Sequence, residues 1–188
     1  MEQLSLTLQK LPVWVKNLML VIGSSLVLGL FANVAIPLPF TPVPIATQPS
    51  IVLLLGVLLG SKRAPLAVGS FLMQGACGLP VFAGGHTGLA WMAGPTGGYL
   101  LGYLVVAYVV GKLIESRPKT LLSAFQAMAV GNVVLFVCGA AWLSTFVGVN
   151  KAVLLGVVPF LLGDLFKLVV SLKLLQWTGF ERTNPLNK

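Results

Sequence analysis

Six stretches of this chain are apolar enough to lie in a lipid bilayer, at about 14–36, 48–60, 64–78, 96–114, 121–146 and 159–177. The hydrocarbon core asks for about 20 apolar residues per helix, and fewer where a helix is short or partly covered by protein. In lipid every backbone N–H and C=O must find its partner within the protein, so segments of this kind become helices. The remainder of the chain leaves no room for a soluble domain. Of its 188 residues 57% are hydrophobic and 9% charged, whereas soluble domains carry about 25% charged residues. The expected fold is therefore an all-α membrane protein, with residues 1–188 as one domain built as a bundle of six transmembrane helices among membrane lipids.

The net charge of +8 would raise the question of nucleic acid on a soluble protein. Here the basic residues sit between the apolar runs and read as topology determinants, with no nucleic-acid partner expected. Lys10 and Lys16 precede the first run, Lys62 and Arg63 separate the second from the third, and Lys112, Arg117 and Lys119 surround the fourth-to-fifth connection. Lys173, Arg182 and Lys188 lie at the C-terminal end, while the other three connections contain only Lys151. The positive-inside rule then puts both termini and the two basic loops in the cytoplasm, in a multi-pass protein of the inner cell membrane. The first run lacks a small-residue cleavage site after it and reads as a retained span.

The remaining connections form the outer face. The first, residues 36–48, has Pro37, Pro39, Pro42 and Pro44, which forbid helix and favour a stiff extended loop. It is also apolar, so it should lie against the bundle. The second, residues 78–98, is rich in glycine and equally apolar. Irregular backbone near a membrane is tolerated only where protein buries it or where it lines a cavity. Two such loops on one side predict a ligand pocket near the outer face.

Asp164 and Lys167 lie in the last run, in Pro159-Phe-Leu-Leu-Gly-Asp-Leu-Phe-Lys. A charge in hydrocarbon costs roughly 2.5 kcal/mol or more, and such residues usually mark a ligand or ion pathway. Spaced by three, the two share one helix face. With a helix starting at Pro159, Asp164 lies only about 7–8 Å below that start, under the outer loops. The bland reading is a buried ion pair that neutralises itself and adds little stability. The sharper one is a site for a small ligand that offers both N–H donors and an oxygen acceptor, since Asp only accepts and Lys only donates. A proton or ion relay is the third, and it is short of ionisable partners.

Other residues sort around this pair. Phe40 and Thr41 in the proline loop offer an apolar contact and a hydroxyl over a ligand, against a purely stiffening role. Gln48 opens the second run and is either a helix-end hydrogen bond or a site group. Gln74 is polar in hydrocarbon and bonds across helices or reaches the pocket. Phe82, Trp91 and Tyr99 form an aromatic belt or line the pocket. The glycines at 84, 85, 88, 94, 97 and 98 lack the strand–turn–helix setting of a nucleotide fingerprint. Pro159 suits the first turn of the sixth helix, with residues 150–156 as a short interfacial piece. His86 is the one histidine and has no second metal ligand, and Cys77 and Cys138 read as buried hydrophobes. No metal, cofactor or catalytic constellation is expected. Ser25 and Gly29 have small-xxx-small spacing, for packing within the bundle or against a partner.

Four strings taken together resemble one family: Pro37-Leu-Pro-Phe-Thr-Pro-Val-Pro-Ile with Gln48; Gly78-Leu-Pro-Val-Phe-Ala-Gly-Gly; Gly94-Pro-Thr-Gly-Gly-Tyr-Leu-Leu-Gly; and Pro159-Phe-Leu-Leu-Gly-Asp-Leu-Phe-Lys. They are similar to the BioY family of biotin transporters, the substrate-binding S components of energy-coupling factor transporters. The resemblance implies a six-helix protein that is not an enzyme and binds biotin near its outer face as a transported ligand, with Asp164 and Lys167 as the polar ligand pair. It implies as partners a transmembrane coupling protein and two ATPases, or solitary action. S components often show Ala-xxx-Ala in the first span. Here Ala32 and Ala35 are three apart, and Ser25/Gly29 is the nearest small pair.

Overall fold

A computed structural model describes residues 12–180; Lys10, Arg182 and Lys188 lie outside the described residues. Helix α1 spans Val13–Leu30. A short turn leads into strand β1, Ala35–Ile36, which pairs antiparallel with β2, Ile45–Ala46. The proline loop is thus the closed end of a small hairpin. Helix α2 spans Gln48–Ala76, and the second loop carries the one-turn helix α3, Leu89–Met92. Then come α4, Gly97–Glu115, α5, Leu121–Val147, α6, Val149–Gly156, and α7, Leu161–Trp177. Among the described residues, five stretches are long and apolar enough to cross a membrane: α1, α2, α4, α5 and the segment Val149–Trp177.

The second and third sequence runs are the two limbs of α2. Gly60 within it has φ 77°, a left-handed value that glycine adopts freely, and it reverses the chain without a loop. Straight, 29 residues would extend about 43 Å. Instead Gln48, at the start of α2, donates its side-chain N–H to the carbonyl of Val81, beyond its other end, at 2.8 Å. Both ends of α2 therefore meet at one end of the bundle, and the turn lies at the other. The reversal exposes the Ser61 N–H, which would otherwise be bonded one turn back. Glu115, at the C-terminus of α4, takes it at 2.8 Å and accepts from the Ser61 hydroxyl at 2.7 Å. The carboxylate thus caps a helix limb from another helix. Glu115→Ala is expected to lower the melting temperature in detergent by about 2–4 °C, with Glu115→Gln losing less. An unchanged melting curve for both would show the cap to be idle.

Small residues set how closely the helices approach. A Cβ at Gly111 would run into the Gly60–Ser61 backbone, and one at Gly98 into Trp142 of α5. Close backbone approach of this kind holds membrane helices together where no hydrophobic force acts between them. Ser25 and Gly29 face inward: Ser25 is buried and accepts from Gln74 at 2.9 Å, and a Cβ at Gly29 would sit 3.0 Å from Val81. The exterior of α1 and α7 is apolar, with Trp14, Leu18, Ile22, Leu162 and Phe166 exposed, as a lipid-facing surface requires. At the start of the sixth run the short piece expected at 150–156 is present as α6, and the position of Pro159 is what differs. Pro159 lies in a 3-10 turn over Val158–Phe160, preceded by α6. Its ring and missing N–H break the ladder between two helices rather than opening one.

Candidate functional site

A cleft opens where the hairpin loop, the second loop, the N-terminal parts of α2, α4 and α7 and the middle of α5 converge. Its space amounts to about 590 Å³ including the open mouth. Val43, Pro44 and Ala46 of the hairpin form one wall, with Gln48 and Pro49 beneath them. Ala83 and Trp91 come from the second loop, and Thr96, Tyr99, Leu100 and Tyr103 from the start of α4. Leu135 and Phe136 of α5 and Phe160, Asp164 and Lys167 complete it.

The polar groups of this cleft are few and partly committed. The Lys167 ammonium donates to Asp164 Oδ1 at 2.9 Å and to the Ala46 carbonyl of β2 at 2.9 Å. Two of its three N–H groups are used and one remains. Asp164 is 8% exposed and lies in the first turn of α7, where the positive end of the helix dipole favours a carboxylate. Its Oδ2 has no partner among the described residues. The pair is thus neutral as a whole and still offers one acceptor and one donor.

Gln48 is fully buried. Its amide nitrogen donates to the Leu28 carbonyl at 3.1 Å and to the Val81 carbonyl at 2.8 Å. Two carbonyl partners fix which end of the amide is nitrogen, because a flipped amide would set oxygen against oxygen. The Oε1 atom is then left buried without a partner. An orphaned buried acceptor costs about 1–3 kcal/mol, so a ligand N–H that reached it would relieve a penalty already present. Tyr99 sends its hydroxyl to the Gly156 carbonyl at 2.7 Å and gives the cleft its ring.

Asp164, Lys167, Gln48 and Tyr99 are therefore brought together. Four other residues named from the sequence are not. Phe40 is exposed on the outer surface of the proline loop. Thr41 is turned to the Leu155 carbonyl at 2.8 Å, where it pins that loop to α6. Gln74 bonds Ser25, a contact between α1 and α2 away from the cleft. Phe82 is completely buried, edge-on to Phe71 at 5.6 Å between ring centres, and it anchors the second loop. Tyr103 and Thr96 were missed. Tyr103 lies four residues after Tyr99, on the same face of α4, and that spacing was the available signal.

Comparison with known proteins bears on this geometry. Residues 2–180 match the BioY family. A "Probable biotin transporter BioY" from Pyrococcus horikoshii is 39% identical over 126 residues, which is 67% of this chain and 74% of that protein. The "Biotin transporter BioY" of Thermotoga maritima is 39% identical over 138 residues, 72% of this chain and 80% of that one. Among solved structures, the crystal structure of the S-component for biotin from an ECF-type ABC transporter superposes with a TM-score of 0.78 at 28% identity, over 87% of this chain and 90% of that one.

Proposed function

The chain belongs to the BioY family, and from that premise we propose that it mediates biotin uptake, holding the vitamin in the cleft at Asp164, Lys167 and Gln48. One observation carries the assignment of the site: an ion pair that leaves one acceptor and one donor, beside a buried acceptor with no partner. The ureido ring of biotin has two N–H donors and one carbonyl. Asp164 Oδ2 and Gln48 Oε1 accept the two N–H groups, and the spare Lys167 N–H meets the carbonyl. The fused rings lie among Tyr99, Tyr103 and Phe160, which supply apolar area. The protein acts as a vitamin carrier without a cofactor or catalytic step.

The membrane setting follows from the same frame. Lys62, Arg63, Arg117 and Lys119 flank the Gly60 turn and the α4–α5 connection, at the end of the bundle away from the cleft. Positive loops stay in the cytoplasm, so the cleft faces outward from the cell membrane. The sequence carries no nucleotide-binding loop, and the similarity to an S-component supports a partner module of one transmembrane coupling protein and two ATPases. A proton relay has no support in the residues. Between 12 and 180 the only carboxylates are Asp164 and Glu115, and Glu115 lies at the opposite end.

Purification from rich medium followed by mass spectrometry of the released ligand tests the assignment, with biotin expected in stoichiometric amount. Gln48→Met keeps the volume but removes the orphaned acceptor and both hydrogen bonds, one to α1 and one to the second loop. Biotin affinity should fall about tenfold and the melting temperature should fall with it. Wild-type affinity in this variant would remove Gln48 from the site.

A further inference from the structure

We infer that a second hollow beside the cleft receives the carboxylate-bearing chain of biotin and any group joined to it, so that the ligands taken up include amide conjugates of the vitamin. This rests on the cleft reading above. The hollow lies between the hairpin loop, through Ala35 and Leu38, and the turn of the second loop, through Gly84 and His86. It meets the cleft along Pro44, Ala83 and Trp91, which line both. Its space is about 540 Å³ including the mouth. His86 stacks on Trp91 at 3.6 Å and 14°, so the boundary between the two spaces is held by a braced aromatic ring.

Charge decides which end of the ligand goes where. Asp164 and Lys167 neutralise each other in the wall of the cleft. A ligand carboxylate there would give up its hydration for the one spare N–H of an ammonium that Asp164 already neutralises, and it would leave Asp164 Oδ2 without a donor. The neutral ureido end takes that place, and the acid end points toward the second hollow. No Lys, Arg, Asp or Glu lines that hollow. The carboxylate therefore has no ionic lock to lose when it becomes a neutral amide. Its walls are prolines, small residues and a glycine turn with φ 77° at Gly84, and they leave room for an extension rather than gripping a terminal group.

Competition against labelled biotin on the purified full-length protein tests this, with biotin, Nε-biotinyl-lysine and a ureido-N-methyl biotin as competitors. Biotinyl-lysine should compete within about tenfold of biotin, and the ureido-methylated compound about a hundredfold worse. A conjugate about a hundredfold weaker than biotin, on a protein that binds biotin, overturns the second hollow and leaves the cleft standing. Failure of biotin itself to bind overturns both. Ala35→Phe fills the hollow outside the cleft. It should weaken the conjugate about tenfold more than biotin, and biotin binding serves as the folding control. An unchanged ratio of the two affinities, whether both fall or neither does, overturns the placement.

Discussion

Asp164→Asn should lower biotin affinity about a hundredfold, measured by calorimetry or labelled-ligand binding in detergent. The substitution changes almost no volume, but it turns the free acceptor into a donor or removes the charge from it. Either the new N–H faces a ureido N–H, or a charge-assisted bond becomes a neutral one of about half the strength. Lys167 meanwhile keeps the Ala46 carbonyl at 2.9 Å and can still reach the asparagine oxygen. The fold is expected to survive, with a cooperative melting transition, so loss of ligand separates from loss of structure. Undiminished affinity would remove Asp164 from the site whatever the family relationship.

The passes of the bundle were legible because apolar runs and basic connections are composition, and lipid leaves few ways to satisfy a buried backbone. What joins them was less so. The sequence reading put a connection at residues 61–63, yet the chain reverses on one dihedral at Gly60, and a single φ has no periodic signature. Nor could the sequence pair Glu115 with Ser61, since the contact depends on how α2 folds back. The charged pair stood out because its cost in hydrocarbon is large and its spacing puts both groups on one face. The loop residues were harder. Phe82 and Phe40 are the same residue type at comparable positions, and one anchors the core while the other faces outward. Side-chain direction in an irregular loop is set by packing, not by spacing. Gln74 and Gln48 were likewise indistinguishable as lone polar residues in apolar runs. Each leaves its amide oxygen unpartnered, but only Gln48 lines the cleft.

Lys167→Leu and the double replacement Asp164→Leu with Lys167→Leu should move stability and binding in opposite directions. Removing the lysine alone strands a carboxylate that is 8% exposed. Breaking a buried pair costs about 3–5 kcal/mol; side-chain exposures of 18% for Lys167 and 10% for Asp164 bring the expectation down to about 2–3 kcal/mol, or roughly 5–10 °C in melting temperature. Removing both charges takes away the stranded ion as well. The double variant should therefore melt above the single one and close to wild type, because well-packed leucines often match or exceed a buried ion pair in stability. It should nonetheless retain no biotin through purification. A pair kept for structure would give the reverse: a double variant as unstable as the single one, with vitamin still bound to whatever folds. If the double variant melts as expected, the fold has no need of the two charges, and a polar ligand that uses the donor and the acceptor they leave open is what accounts for them.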